Sequence, residues 1–291
     1  MPCYHPIPGW YSRVVNESGK RSIVFNLGEG FKDKPASVPC GKCVGCQLER
    51  ARQWAVRCMH EARYHAASSF VTLTYETVPP GGSLRPKDMV DFLKRLRYHH
   101  GKLRFFQCGE YGERLERPHH HALLFGYWPS DAREYVSGGS SRLYRSRLLE
   151  EVWSHGRCMV GSVSFQSAGY VARYALKKVV GPAAAVHYSG RVPEYLTMSR
   201  RPGIGRRYVE EFGDELYGRD FLVVNGVKCR PPRYYDEFQE REAPDVMRRI
   251  KHARADEARR SPDNSGSRLV VREVVKEASL RFLDRRLERD S

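Results

Sequence analysis

Apolar positions recur along this chain with two different periods, and the changes of period mark its elements. Over residues 47–66, Trp54, Val56, Cys58, Ala62 and His65 fall at helical spacing among Arg50, Arg52, Arg57 and Arg63, which predicts an amphipathic helix. Residues 69–75 are β-rich and run into the turn residues Pro79, Pro80, Gly81 and Gly82. A basic amphipathic helix follows, framed by Pro86 and His99-His100-Gly101, with Met89, Phe92, Leu93 and Leu96 on its apolar stripe. Strands are predicted over residues 103–107, closed by Gly109-Glu110-Tyr111-Gly112, and over 119–126. After the loop Gly138-Gly139-Ser140-Ser141 come a helix over 143–154 with Leu148, Leu149, Val152 and Trp153 on one face, a strand over 159–165 and a helix over 168–180. The order βαββαβα predicts an α+β fold, a central antiparallel or mixed sheet with flanking helices largely on one face.

Residues 1–46 are rich in Gly, Pro and Cys, with one short strand candidate at 22–26. Beyond residue 185 lie a Gly-Pro-Arg loop at 199–207, a short helix at 208–216 and a hairpin whose strands, 221–224 and 227–230, flank Asn225-Gly226. From Asp236 onward the chain reads as charged helix, broken at 261–267. Four segments result: a Cys-rich start and helix (1–66), a core (67–185), a basic loop and hairpin (186–235) and a charged helical tail (236–291).

Composition narrows the class. Of 291 residues, 41% are hydrophobic, enough to bury a core and to exclude wholesale disorder or a fibrous repeat. No apolar run approaches the ~18–20 residues of a membrane span. The opening Met-Pro-Cys-Tyr-His-Pro lacks the layout of a signal peptide, so the chain is expected to be soluble and intracellular. With 50 Lys+Arg against 34 Asp+Glu, the net charge of +16 points to an anionic partner, with a basic but non-binding protein as the plain alternative. Nucleic acid leads, ahead of acidic membranes and acidic proteins.

Three of eight cysteines lie in Cys40-Gly41-Lys42-Cys43-Val44-Gly45-Cys46, where two-residue spacers let thiolates converge on one tetrahedron. Cys3 is the preferred fourth ligand, with His5 and Cys58 as alternatives. A structural Zn2+ fits best. Reduced thiols remain open, and so does an iron–sulfur cluster, although the Cys-Pro that usually completes that motif is absent.

In Arg117-Pro118-His119-His120-His121, a strand sends His119 and His121 to one face and His120 to the other. Glu110 is a candidate third ligand if the two strands pair, with an exposed loop carboxylate as the plain alternative. Carboxylate plus imidazole with open positions suits Mg2+ or Mn2+, and zinc is not excluded. Tyr170 and Tyr174 stand four residues apart on the helix after residue 168, followed by Lys177 and Lys178. Such a pair is either core packing or a pair of phenol nucleophiles beside a metal.

These motifs together resemble rolling-circle replication initiators of the HUH endonuclease superfamily, and within it the replication proteins of Microviridae, gokushovirus group. Phe70-Val71-Thr72-Leu73-Thr74-Tyr75 resembles the first motif, Arg117-Pro118-His119-His120-His121 the second, and Tyr170-Val171-Ala172-Arg173-Tyr174-Ala175-Leu176-Lys177 the two-tyrosine third. The cysteine turn, Gly109-Glu110-Tyr111-Gly112 and Ser199-Arg200-Arg201-Pro202-Gly203-Ile204-Gly205 are similar to that phage group as well. One departure is His120, where the superfamily usually has an apolar residue.

The resemblance implies an HUH endonuclease fold in which His119, His121 and Glu110 hold Mg2+ or Mn2+ against the scissile phosphate of a single-stranded origin. Tyr170 or Tyr174 would attack, leaving a 5′-phosphotyrosyl bond and a 3′-OH that primes the host polymerase, with Lys177 offsetting charge. Arg173, Lys178, Arg200, Arg201, Arg206 and Arg207 would hold the strand. No Gly-x4-Gly-Lys-Ser/Thr motif occurs, so unwinding would fall to a host helicase, in the cytoplasm of a bacterial host. Two readings compete: a non-catalytic zinc-containing single-stranded nucleic-acid binder, and a metal-dependent phosphodiesterase using water.

Overall fold

The structure, a computed structural model, describes residues 3–17, 19–112, 115–136, 142–179 and 181–281, without the side chains of 174–177 and 281. The expected loop at 138–141 lies outside the described residues. In chain order the elements are β1 (Ile7–Val15), β2 (Arg21–Val24), β3 (Gly30–Val38), α1 (Val44–Ala62), β4 (Ser68–Thr74), α2 (Pro86–His100), β5 (Arg104–Tyr111) and β6 (Pro118–Phe125). There follow β7 (Arg133–Val136), β8 (Leu143–Arg145), α3 (Arg147–Trp153), β9 (Cys158–Ser162), α4 (Phe165–Lys177), α5 (Ala183–Tyr188) and β10 (Tyr195–Met198). The chain continues through α6 (Arg206–Arg219), β11 (Leu222–Val224), β12 (Val227–Cys229), α7 (Arg233–Glu242), α8 (Pro244–Arg260) and α9 (Gly266–Arg281). No described helix is long and apolar enough to cross a membrane.

Two compact units emerge, Met1–Arg50 with Arg248–Asp284, and one built on Ala51–Met247. The first carries an antiparallel sheet in the order β2-β1-β3. Of its strands only β2 is legible in the sequence, as the candidate at 22–26, because Pro8, Gly9 and Pro35 hide the alternation of β1 and β3.

The second unit holds an antiparallel sheet in the order β10-β5-β6-β4-β9-β8-β7. Val71, Leu73 and Tyr75 pack with Met89, Phe92, Leu93 and Leu96 of α2 and Leu149 and Trp153 of α3. Phe70, Phe106, Leu123 and Phe125 pack with Ala51, Ala55 and Cys58 of α1 and Ala168, Tyr170 and Val171 of α4. Helices therefore cover both faces, not largely one as expected. The cause is visible in β6, where every residue is buried. A strand running into Ala122-Leu123-Leu124-Phe125 has apolar groups on both sides, and each large one contributes about 1.5–3 kcal/mol only when covered.

Other differences have local causes. The helix expected at 47–66 begins at Val44, since Gln47 N–H donates to the Cys43 carbonyl at 3.0 Å and carries the helix into the cysteine turn. Residues 143–145 are strand, not helix. Ser146 caps α3, its hydroxyl accepting from Leu149 N–H at 3.0 Å, and so stops the helix from extending backward. β9 ends at Ser162, earlier than expected, because Ser164 and Ser167 form a capping box that starts α4 at Phe165. The Asn225-Gly226 hairpin forms as predicted, with φ of 49° and 79° at its two turn residues.

Candidate active site

In the β5–β6 register Glu110 stands opposite His119, and His121 lies two residues further along, so all three side chains share one face of the sheet. Glu110 Oε1 lies 2.6 Å from His119 Nε2 and 2.9 Å from His121 Nε2. The three potential ligand atoms lie within 4.8 Å of one another, and all three residues are buried. Burial raises the Glu110 carboxyl, but the His121 and His119 imidazoles outweigh it and hold the group below its ordinary range. Burial pushes the His121 imidazole down, against the pull of Glu110.

The surroundings fit a divalent cation. His119 Nδ1 sits 3.0 Å from the Arg117 carbonyl, which accepts its proton, so a neutral ring would turn a bare Nε2 lone pair toward the carboxylate. A cation between them removes that conflict. His121 Nδ1 is fixed by Thr72 Oγ1 at 2.9 Å, and its ring stacks on Phe70 at 5.6 Å. The second oxygen of Glu110, Oε2, is buried with no hydrogen-bond partner among the described residues, a situation that costs about 1–3 kcal/mol. Thr72 and Phe70 are supporting residues; the sequence places both in the first motif but assigns neither a role. Their signal lay in the alternation of Phe70-Val71-Thr72, which sends both to the triad's face.

Tyr170 joins the site from α4. Its ring stands edge-on to His121 at 5.0 Å and to Phe70 at 6.1 Å, and it is fully buried. Tyr174 and Lys177 lie on the same helix, their side chains outside the described ones. The half-buried Arg173 sets its guanidinium 6.0 Å above the Tyr170 ring, and Lys178 is exposed where α4 ends.

Arg200 and Arg201 are exposed on a loop pinned from beneath. Arg104 Nη2 donates to the Pro202 carbonyl at 2.7 Å, Arg57 Nε to the Ile204 carbonyl at 3.0 Å, and Gly205 N–H to Glu61 Oε2 at 2.8 Å. Arg206 pairs with Glu210 at 2.6 Å and stacks on Phe238, while Arg207 stacks on Tyr64.

In the other unit, Cys3, Cys40, Cys43 and Cys46 bring four sulfurs within 4.8 Å of one another. Cys3 is thus the fourth member. His5 pairs with Glu273 at 2.7 Å, and Cys58 is buried among Phe70 and Phe106. Backbone N–H groups point at the sulfurs: Tyr4 at Cys43 (3.4 Å), Cys40 at Cys3 (3.2 Å) and Cys43 at Cys40 (3.3 Å). Burial would raise the Cys43 thiol, but the N–H groups of Tyr4 and Cys46 and the neighbouring thiols hold it down at about 6. Four converging sulfurs with donors aimed at them suit a tetrahedral thiolate-bound metal.

On this antiparallel sheet, the carboxylate–imidazole triad beside a helix tyrosine is a group that could hold a divalent ion. Residues 68–179 match the family model for the replication-associated protein ORF2/G2P. Over 261 residues the chain is 31% identical to replication-associated protein VP4 of Bdellovibrio phage phiMH2K, covering 84% of this chain and 79% of that one. It is 31% identical to replication-associated protein ORF2 of Spiroplasma virus 4 over 245 residues, or 77% and 75% of the two chains. With replication-associated protein ORF4 of Chlamydia phage 1 it shares 34% identity over 213 residues, 69% of this chain and 53% of the other. No solved structure matches the chain. The chain belongs to the replication-associated proteins of the Microviridae, the replication initiators of these phages.

Proposed function

We propose that this protein nicks and rejoins single-stranded origin DNA, starting and ending rolling-circle replication through a 5′-phosphotyrosyl intermediate. The observation that carries this reading is the convergence of Glu110 Oε1 on His119 Nε2 and His121 Nε2, with the Tyr170 ring 5.0 Å from His121. Mg2+ or Mn2+ held by Glu110, His119 and His121 would polarise the scissile phosphate and offset the charge developing on its oxygens. Tyr170 or Tyr174 supplies the nucleophile. Its Oη bonds to phosphorus as the bond to the 3′ oxygen breaks, and the proton lost by the phenol balances the one gained by the new 3′-OH.

That 3′-OH primes the host polymerase while a host helicase opens the duplex, in the cytoplasm of the bacterial host. After one round the second tyrosine cleaves the regenerated origin and the first 3′-OH closes the circle. Lys177 offsets charge at the phosphate, and Arg173, Lys178, Arg200, Arg201, Arg206 and Arg207 hold the strand, with Cys3, Cys40, Cys43 and Cys46 binding a structural Zn2+. Tyr170 is fully buried, so its hydroxyl has to be uncovered before DNA can reach it.

The test is covalent. Incubation with a single-stranded origin oligonucleotide and Mn2+ is expected to give an SDS-stable protein–DNA adduct, lost on chelation and in the Tyr170→Phe/Tyr174→Phe double variant. Adduct formation should fall steeply with salt, while an adduct already formed persists. No adduct with binding intact would leave a non-catalytic zinc-containing binder. Cleavage without adduct would leave a phosphodiesterase that uses water.

A further inference from the structure

On the face of β6 opposite the triad, His120 is wholly buried in the core beside Trp153, where a histidine is costly unless both ring nitrogens are bonded. Both are. Nδ1 lies 3.1 Å from Tyr195 Oη, and Nε2 lies 3.1 Å from Tyr75 Oη. Tyr75 Oη in turn donates to Asp88 Oδ2 at 2.9 Å, a carboxylate that also faces Arg85 at 3.7 Å. A carboxylate only accepts, so Tyr75 gives its proton there and must accept from His120 Nε2–H. His120 Nδ1 then accepts from Tyr195. Every direction in the chain Tyr195–His120–Tyr75–Asp88 is thereby fixed, and it ties together β10, β6, the end of β4 and the first turn of α2.

Tyr195 reaches His120 across a glycine. In the register of the three strands Tyr195 stands opposite Gly109 and Gly109 opposite His120. A Cβ at Gly109 would collide with the Tyr195 ring and lie 3.1 Å from His120 Nδ1. Gly109 immediately precedes Glu110, and His120 stands between His119 and His121, so the chain grips the strand pair directly behind the triad.

We propose that His120 is a positioning residue: with Tyr195, Tyr75 and Asp88 it ties β10, β6, the end of β4 and α2 together behind the triad and holds Glu110, His119 and His121 in ligating geometry.

This inference rests on the metal reading of the triad, and Mn2+ binding by the full chain, followed by electron paramagnetic resonance without DNA, separates the two. Glu110→Gln identifies the signal that belongs to the triad. His120→Leu is expected to weaken that binding about 10–100-fold, as loss of groups that orient metal ligands does. Tyr195→Phe keeps the ring over Gly109 and removes one hydroxyl; about a five-fold weakening is expected from it. The double variant should bind no more weakly than His120→Leu alone, because the two act through one chain. Mn2+ affinities within two-fold of wild type in folded His120→Leu and Tyr195→Phe would overturn the proposal alone. Absence of a Glu110-dependent Mn2+ signal in the wild-type chain would overturn the metal reading and this inference with it.

Discussion

The two ligand clusters are assembled in opposite ways. Cys40, Cys43 and Cys46 come from one short turn and the start of α1, with Cys3 as the distant fourth. Glu110, His119 and His121 come from two paired strands inside a seven-stranded sheet. The thiols also form the small core of their unit, packed with Tyr4, Val44 and Leu269. The triad instead sits on a core that large apolar side chains already hold. Four sulfurs complete a tetrahedron and leave nothing open, whereas three mixed ligands leave room for a phosphate oxygen. The first arrangement supports a fold and the second is supported by one.

The largest effect that could break this contrast comes from the thiol cluster. Structural zinc in small domains contributes on the order of 10 kcal/mol of apparent binding energy, more than a core of this size supplies by itself. The purified protein is expected to carry about one zinc per chain, and Cys43→Ser to lose it together with the protease resistance of residues 3–50 and 248–281. Metal analysis and limited proteolysis check this. A zinc-free variant that stays resistant would put the thiols on the same footing as any buried cysteine.

The triad should respond in the reverse sense. Glu110→Gln keeps the shape of the side chain and an amide able to bond the imidazoles, so stability should move by about 3 kcal/mol at most in a thermal melt, well short of the loss expected of Cys43→Ser. Adduct formation should fall by at least about 100-fold, the size of effect seen when a metal's orienting groups are lost. A melt that collapses as Cys43→Ser is expected to would make the triad a structural element, and the contrast would fail.

The same difference decides what could be read from the chain alone. Close spacing makes the cysteine turn legible without a fold, and the alternation of a strand puts His119 and His121 on one face. Glu110 required a pairing between strands, and the prediction of two adjacent strands was enough to suggest it. The partners of His120 were not legible, because Tyr75, Asp88 and Tyr195 come from three other elements. One of these, β10, is four residues long and lies between Pro193 and the Ser199-Arg200-Arg201-Pro202 turn, so it carries no period of its own. The burial of Tyr170 was hidden for a similar reason. The cover on the second face of the sheet comes from α1, which is distant from α4 in sequence.

A smaller effect sharpens the sheet side of the contrast by asking what a half-buried imidazole costs without a carboxylate. His60 on α1 stacks on Tyr208 of α6 at 3.5 Å, and its Nδ1 lies 2.9 Å from Tyr235 Oη of α7. Burial, helped by Arg63, pushes this imidazole down to about 4 from an ordinary value of 6.5. The unfolded chain then binds a proton below pH 6.5 that the folded chain refuses until about pH 4. Stability from this residue is complete above pH 6.5 and declines as pH falls through that window, by about 3 kcal/mol at the acid end. Urea unfolding at pH 7, 5.5 and 4.5 should therefore move to lower midpoints on acidification. His60→Gln, which cannot titrate there, should flatten that dependence while losing some stability at pH 7. An unchanged slope in the variant would mean that the stack of α1, α6 and α7 admits the proton, and that aromatic packing alone does not keep an imidazole neutral in this sheet's surroundings.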